Sequence, residues 1–220
     1  MSSELGSKLN KYLAGDAIGK IGTYTIADRA TWRSQVNKLN LSERALMDLT
    51  DAKYRVVTDL SAQKLGLAYD RFLGTPMGQI YLATMSDRVR AVKEKRVTGE
   101  IVFPVGSTSG IVKGTLQPGE GKAFVTSLAA GQDISLKVDA SQPSKLSIYP
   151  PTTKLPPLFV SEETEQPTDW SGRTTVKGLH EFVFVSNSDL PIKYEITLTA
   201  TNLNPLKPTD NSQPSPSPSP

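Results

Sequence analysis

Asp133-Ile134-Ser135-Leu136-Lys137-Val138 and, further on, Leu179-His180-Glu181-Phe182-Val183-Phe184 are the stretches whose reading decides the fold. In the first, Ile134, Leu136 and Val138 alternate with Ser135 and Lys137. A period of two places such residues on one face of a strand. In the second, His180, Phe182 and Phe184 share one face, which this spacing predicts to point inward. Leu146 and Ile148 flank Ser147 in the same manner, and Tyr194, Ile196 and Leu198 repeat it. Turn residues punctuate these runs: Gly106, Gly110, Pro118-Gly119, Gly131, Pro150-Pro151, Gly172, Gly178 and Pro191. Several short strands so punctuated predict an all-β sandwich of jelly-roll or immunoglobulin-like type over residues 98–201. These strands supply their own apolar faces, so this part is expected to fold without residues 1–97.

On the N-terminal side of residue 98 the period is helical. Leu46, Leu49, Lys53, Val56 and Val57 mark one helix face. Ser42 is suited to cap that helix, and Leu41 with Leu46 has the spacing of a hydrophobic staple. A second helix is expected over residues 61–72, stopping at Gly74. A third starts at Thr75-Pro76, where proline suits the first helical position. Its stripe is Met77, Ile80, Tyr81, Met85, Val89 and Val92. Asp28 reads as the cap of a short helix through Trp32 and Val36. The expected organisation is therefore α+β in two parts. Residues 1–27 are poorly defined, 28–97 helical, and 98–201 a sandwich. Residues 202–220 form a Ser/Pro-rich tail whose alternating prolines deny the backbone its donors. Residues 150–168, rich in Pro, Glu and Thr, read as a long connection with at most one edge strand.

The β part resembles the bacterial pre-peptidase C-terminal domain family. Gly114-Thr115-Leu116 fits the opening segment of that family, and Pro118-Gly119 with Phe124 fits the turn and aromatic strand that follow. Gly131-Gln132-Asp133-Ile134-Ser135-Leu136 fits the glycine followed by alternating aliphatics. Trp170, Gly172, Gly178 and Tyr194-Glu195-Ile196-Thr197-Leu198 fit its last strands. His180 departs from the tyrosine usual two residues after Gly178. The Pro-rich middle lacks the aspartates that many members carry, which argues against a metal-assisted or carbohydrate-type loop site. The resemblance implies a noncatalytic domain attached to secreted enzymes or multidomain bacterial proteins. Leu49-Thr50-Asp51-Ala52-Lys53-Tyr54, Asp59-Leu60 and Lys64-Leu65 resemble accessory segments of cyanobacterial multidomain proteins, including serine/threonine kinases.

Composition narrows the chemistry. With no cysteine, thiol nucleophiles, thiolate zinc sites and disulfides are excluded. One histidine, His180, offers neither a nucleophile–base pair nor a classical zinc site, and a packing role is its simplest reading. Gly119-Glu120-Gly121-Lys122 fails the phosphate-loop pattern, because Leu116 and Ala123 stand where a glycine and a hydroxyl residue are required. Kinase catalytic motifs are absent from these residues. No cofactor is implied. The net charge of +3 suggests no nucleic-acid partner. No run of about 18 apolar residues predicts a membrane span. Met1-Ser2-Ser3-Glu4 opens no signal peptide. Cytoplasmic residence is expected for the chain as it stands, and periplasmic residence if it is a piece of a longer protein.

Two surfaces are candidates for contact. Trp170 and Phe159, with Glu162 and Glu163, form an apolar and acidic mixture suited to a protein or glycan partner, with core packing the simpler reading of Trp170 itself. Arg88, Arg90, Lys93, Lys95 and Arg96 are expected around the exposed side of one helix, as a solvated face or an anionic-partner contact. The expected function is a noncatalytic accessory or sensory binding module. Alternatives are a noncatalytic part of a larger bacterial enzyme or kinase, and a structural spacer.

Overall fold

The computed structural model describes residues 3–60, 69–161 and 169–202. The helices are α1 (Ser3–Tyr12), α2 (Gly15–Ile18), α3 (Ile26–Asn37), α4 (Glu43–Thr58), α5 (Tyr69–Leu73) and α6 (Pro76–Lys93). Local sequence accounts for their limits. The Ser42 hydroxyl accepts from the Ala45 N–H at 3.2 Å and opens α4. Leu46, Leu49, Val56 and Val57 are buried along that helix, and Leu41 joins the same core. At α6, the Thr75 hydroxyl caps the Gly78 N–H at 3.0 Å with Pro76 in the first turn. Ile80, Tyr81, Met85, Val89 and Val92 are buried and Met77 is half-buried.

Two expectations change. Asp28 is not the cap of α3. Thr25 caps it, and Asp28 is the third helical residue, whose carboxylate accepts the Thr25 N–H at 2.8 Å in a reciprocal capping box. Residues 3–24 are not a formless lead-in, since α1 and α2 carry Leu9, Leu13, Ala17 and Tyr24 into buried positions. The Tyr24 hydroxyl donates to the Ala17 carbonyl at 3.0 Å. The first part of the expected second helix, residues 61–68, lies outside the described residues.

The strands are β1 (Thr98–Glu100), β2 (Ser109–Leu116), β3 (Gly121–Leu128), β4 (Asp133–Ala140) and β5 (Ser144–Tyr149), then β6 (Phe159–Val160), β7 (Asp169–Arg173), β8 (Gly178–Ser186) and β9 (Ile192–Thr201). Among the described residues they form two sheets. One has the order β1-β3-β8-β5-β6 and the other β2-β9-β4-β7. Their facing surfaces enclose one core containing Phe124, Leu136, Ile148, Phe182, Phe184, Ile196 and Leu198. Phe182 and Phe184 point inward with His180, as the alternation requires, and all three are fully buried.

The helices cover the outer face of the five-stranded sheet. Ala123, Tyr149, Val183 and Val185 belong to a second core shared with Leu46, Leu49, Tyr54, Tyr81 and Met85. Gly121 makes this close approach possible. A Cβ there would come within 2.6 Å of Val185 and 2.8 Å of Leu49. Gly119, at φ 70° in the Pro118-Gly119 turn, would meet Val56 at 2.3 Å. The Gly-Glu-Gly stretch that superficially suggested phosphate binding thus lets the β2–β3 turn lie against α4.

Candidate functional site

Two edge strands converge at one side of the sandwich. β6 closes the five-stranded sheet, with Ile148 opposite Phe159. β7 closes the four-stranded sheet, with Leu136 opposite Trp170. Leu136 is buried in the sandwich core, and cross-strand partners share a face, so Trp170 turns inward at the sheet margin. Its ring lies 5.9 Å from that of Phe159, tilted by 37°. Trp170 also covers Gly172, where a Cβ would come within 2.4 Å of the indole. Both aromatic residues are half-buried, while Val160 beside them is 44% exposed. The structure therefore brings Trp170 and Phe159 together from strands of different sheets. Glu162 and Glu163 lie outside the described residues.

The connection before β6 is tied to the helices. The Arg44 guanidinium, on α4, donates to the carbonyls of Leu155, Thr152 and Pro150 at 2.8, 3.2 and 3.3 Å. It also stands 4.6 Å from the Tyr149 ring centroid. Beside it, the Glu181 carboxylate on the outer face of β8 accepts from both the N–H and the hydroxyl of Ser42. Burial pushes the Glu181 carboxyl up, against the hydrogen bonds from Ser42. Asp48 accepts from the Tyr149 hydroxyl at 2.6 Å and from Lys145 at 3.1 Å. A cleft of about 510 Å³ opens at this seam, between Asn40 and Ser42 on one wall and Pro151 and Leu179 on the other. The sequence reading found Ser42 as a cap and missed its second role. The signal in the sequence was Glu181, the one carboxylate within β8.

The five basic residues do not share one solvated face. Arg88 is 4% exposed and pairs with Asp87 at 2.6 Å. Arg90 bridges Asp87 at 2.7 Å and Asp16 on α2 at 3.0 Å. Burial works to raise the Asp87 carboxyl, but the hydrogen bond and charge of Arg88 hold it below the usual range. Arg96 pairs with Glu94 at 2.6 Å. Lys93 and Lys95 remain exposed. Position on the helix explains the difference: the register that buries Val89 and Val92 also turns Arg88 toward the neighbouring helices. Nearby, Lys53 is 7% exposed, its ammonium 5.3 Å from the Tyr12 ring centroid. Burial, reinforced by Arg88, lowers its pKa to about 8.

His180 lies inside the sandwich. Its Nδ1 is 3.1 Å from the Gly178 carbonyl, and burial lowers its pKa. No group of three or more His, Asp or Glu side chains is placed to hold a metal ion among the described residues. No described helix is long and apolar enough to cross a membrane.

No family model matches the chain. It is 28% identical over 172 residues to a serine/threonine-protein kinase-like protein E of Synechocystis sp., a match covering 78% of this chain and 27% of that protein. The chain thus spans about a quarter of the length of the curated relative it matches. Among solved structures, it is similar to PliG of Aeromonas hydrophila, a periplasmic lysozyme inhibitor of g-type lysozyme. The identity there is 14% and the TM-score 0.41, over 48% of this chain and 96% of that one. It is similar also to the pre-peptidase C-terminal domain of a Bacillus anthracis collagenase. That match has 10% identity and a TM-score of 0.39, over 46% of this chain and 94% of that one. The two resemblances carried by the residues, to a pre-peptidase C-terminal domain and to cyanobacterial kinase-associated proteins, are both present in these comparisons.

Proposed function

We propose that this chain is a noncatalytic accessory module that binds a protein partner at the sandwich margin formed by Phe159, Val160 and Trp170. The observation carrying this reading is the meeting of two half-buried aromatic rings from the edge strands of different sheets, beside an exposed valine. Aromatic anchors ringed by polar residues suit a protein contact, and Glu162, Glu163 and Glu165 follow directly in sequence. The likeness to one stretch of a kinase-like protein favours a place for such a module within a longer, kinase-related chain.

The test uses the immobilised full chain to capture partners from host lysate, alongside two surface variants. Val160→Asp alters the proposed contact without entering the core. Leu190→Asp changes an equally accessible residue, 59% exposed, in the β8–β9 turn. The proposal expects a partner that Val160→Asp releases at least about tenfold, roughly 1.4 kcal/mol, while Leu190→Asp retains it. A partner indifferent to Val160→Asp would remove the site. Turnover of a hydrolase or phosphotransfer substrate by the purified chain, lost in His180→Ala, would overturn the noncatalytic reading.

A further inference from the structure

At the other margin of the five-stranded sheet, β1 pairs with β3 in parallel, with Gly99 opposite Phe124. The Ala123 N–H donates to the Val97 carbonyl at 2.9 Å, and the Ile101 N–H to the Val125 carbonyl at 3.1 Å. In a parallel ladder alternate residues bond the neighbouring strand. Val97, Gly99 and Ile101 therefore turn their backbone groups to β3, and Thr98 and Glu100 turn theirs away. No described strand pairs on that side. A groove of about 350 Å³ runs along this open edge, with the chain after α3 as one wall and the end of α6 as another. Leu39 on its wall is 46% exposed. Lys38, Lys93 and Lys95 also line it and are exposed. None of the three forms an ion pair with a described carboxylate, whereas the neighbouring Arg96 is neutralised by Glu94.

We infer that this edge is a docking site for an extended acidic peptide, added to the sheet as a further strand beside β1. Unpaired backbone groups give such a site its affinity, and the flanking side chains give it selectivity. Three lysines against Glu100 leave the groove with an excess of positive charge, which selects carboxylates on the incoming strand. Leu39 accommodates an apolar residue at an alternate position. The same charge disfavours a second copy of this chain as occupant, since pairing two β1 edges would bring six lysines together. This site is separate from the Phe159–Trp170 margin, and its failure would leave that proposal untouched.

The test measures fluorescence anisotropy of a labelled peptide of alternating glutamate and valine titrated with the full chain. Saturable binding that weakens as salt is raised is expected. The double variant Lys93→Glu/Lys95→Glu and the separate variant Lys38→Glu should each weaken it at least about fivefold, with far-UV spectra unchanged. A peptide N-methylated at alternate residues should lose binding, because its donors to β1 are gone. Equal binding of the N-methylated peptide, or of a lysine–valine peptide, would overturn the inference. So would charge-reversed variants that fold and bind normally. Concentration-dependent dimerisation blocked by Thr98→Pro would assign the edge to a second copy instead.

Discussion

Strands β8 and β4 lie in facing sheets and obey the same period of two, yet β8 is buried along nearly its whole length and β4 only at every second residue. The cause lies outside the strands. The four-stranded sheet has one face on the sandwich core and one in water, where Lys113 and Glu195 pair at 2.8 Å across β2 and β9. The five-stranded sheet lies between that core and the helices. A strand covered on both faces needs apolar residues at both parities, as Phe182-Val183-Phe184-Val185 provides. Alternation therefore reports one-sided burial, and its loss reports a second covering layer.

The largest expected effect tests the inner face. Phe182→Ala or Phe184→Ala should cost about 3–5 kcal/mol by urea denaturation, through lost burial and the cavity left behind. A loss near zero would mean that the strand's register is inverted.

Across the same strand, Val183→Ala should cost about 2 kcal/mol, because it removes buried methyl groups from the core shared with the helices. Lys137→Ala, on the water-facing side of β4, should stay within about 0.5 kcal/mol. Equal small losses at both sites would break the contrast between the sheets.

Next comes the seam. Ser42→Ala removes the cap of α4 and both hydroxyl contacts while leaving Glu181 buried with one backbone donor. It should lower stability by about 1–2 kcal/mol. Glu181→Gln combined with Ser42→Ala should lose less than the sum of the two singles, since the residues share one contact.

The smallest effects are in pH dependence, where neighbours on opposite faces of β8 act in opposite directions. His180 has a lowered pKa when folded, so the unfolded chain binds more protons between that value and about 6.5. Its contribution to stability is full above about pH 6.5 and is lost as pH falls. Glu181 has a raised pKa when folded, so its contribution is full below about pH 4.3 and diminishes as pH rises through the folded value. Stability of His180→Leu should respond less to acid between pH 6.5 and 5 than that of the parent chain. An unchanged slope would place the acid response elsewhere.

The sequence made visible what local rules control. Ser42 and Thr75-Pro76 announce helix starts, and His180, Phe182 and Phe184 announce an inward face. Leu5 and Leu9 in α1 and Leu13 just after it recur every four residues, a helical stripe set in a polar lead-in. Thr25 and Asp28 were separable only by the reciprocal pair of hydrogen bonds between them. The valines of β8 indicated a second covering layer without saying which element supplies it, since that depends on Gly121 admitting Leu49. At the candidate site, Trp170 and Phe159 both stand out in the sequence as aromatic residues beside an acidic stretch. That they meet depends on two edge strands from different sheets, which no spacing along the chain encodes. Arg88 looked solvent-facing because charge suggests exposure, and its pairing with Asp87 inside the helical layer reverses that.

The core shared by the helices and the five-stranded sheet runs against the expectation that residues 98–201 fold without residues 1–97, and the helices and the sandwich should instead unfold as one cooperative unit. Residue-resolved amide hydrogen exchange of the full chain at increasing urea tests it most directly. Amides of α4, β3, β5 and β8 should merge onto a single unfolding free energy and denaturant slope. Amides of the sandwich that stay protected after those of α4 have exchanged would show two independent units and contradict it.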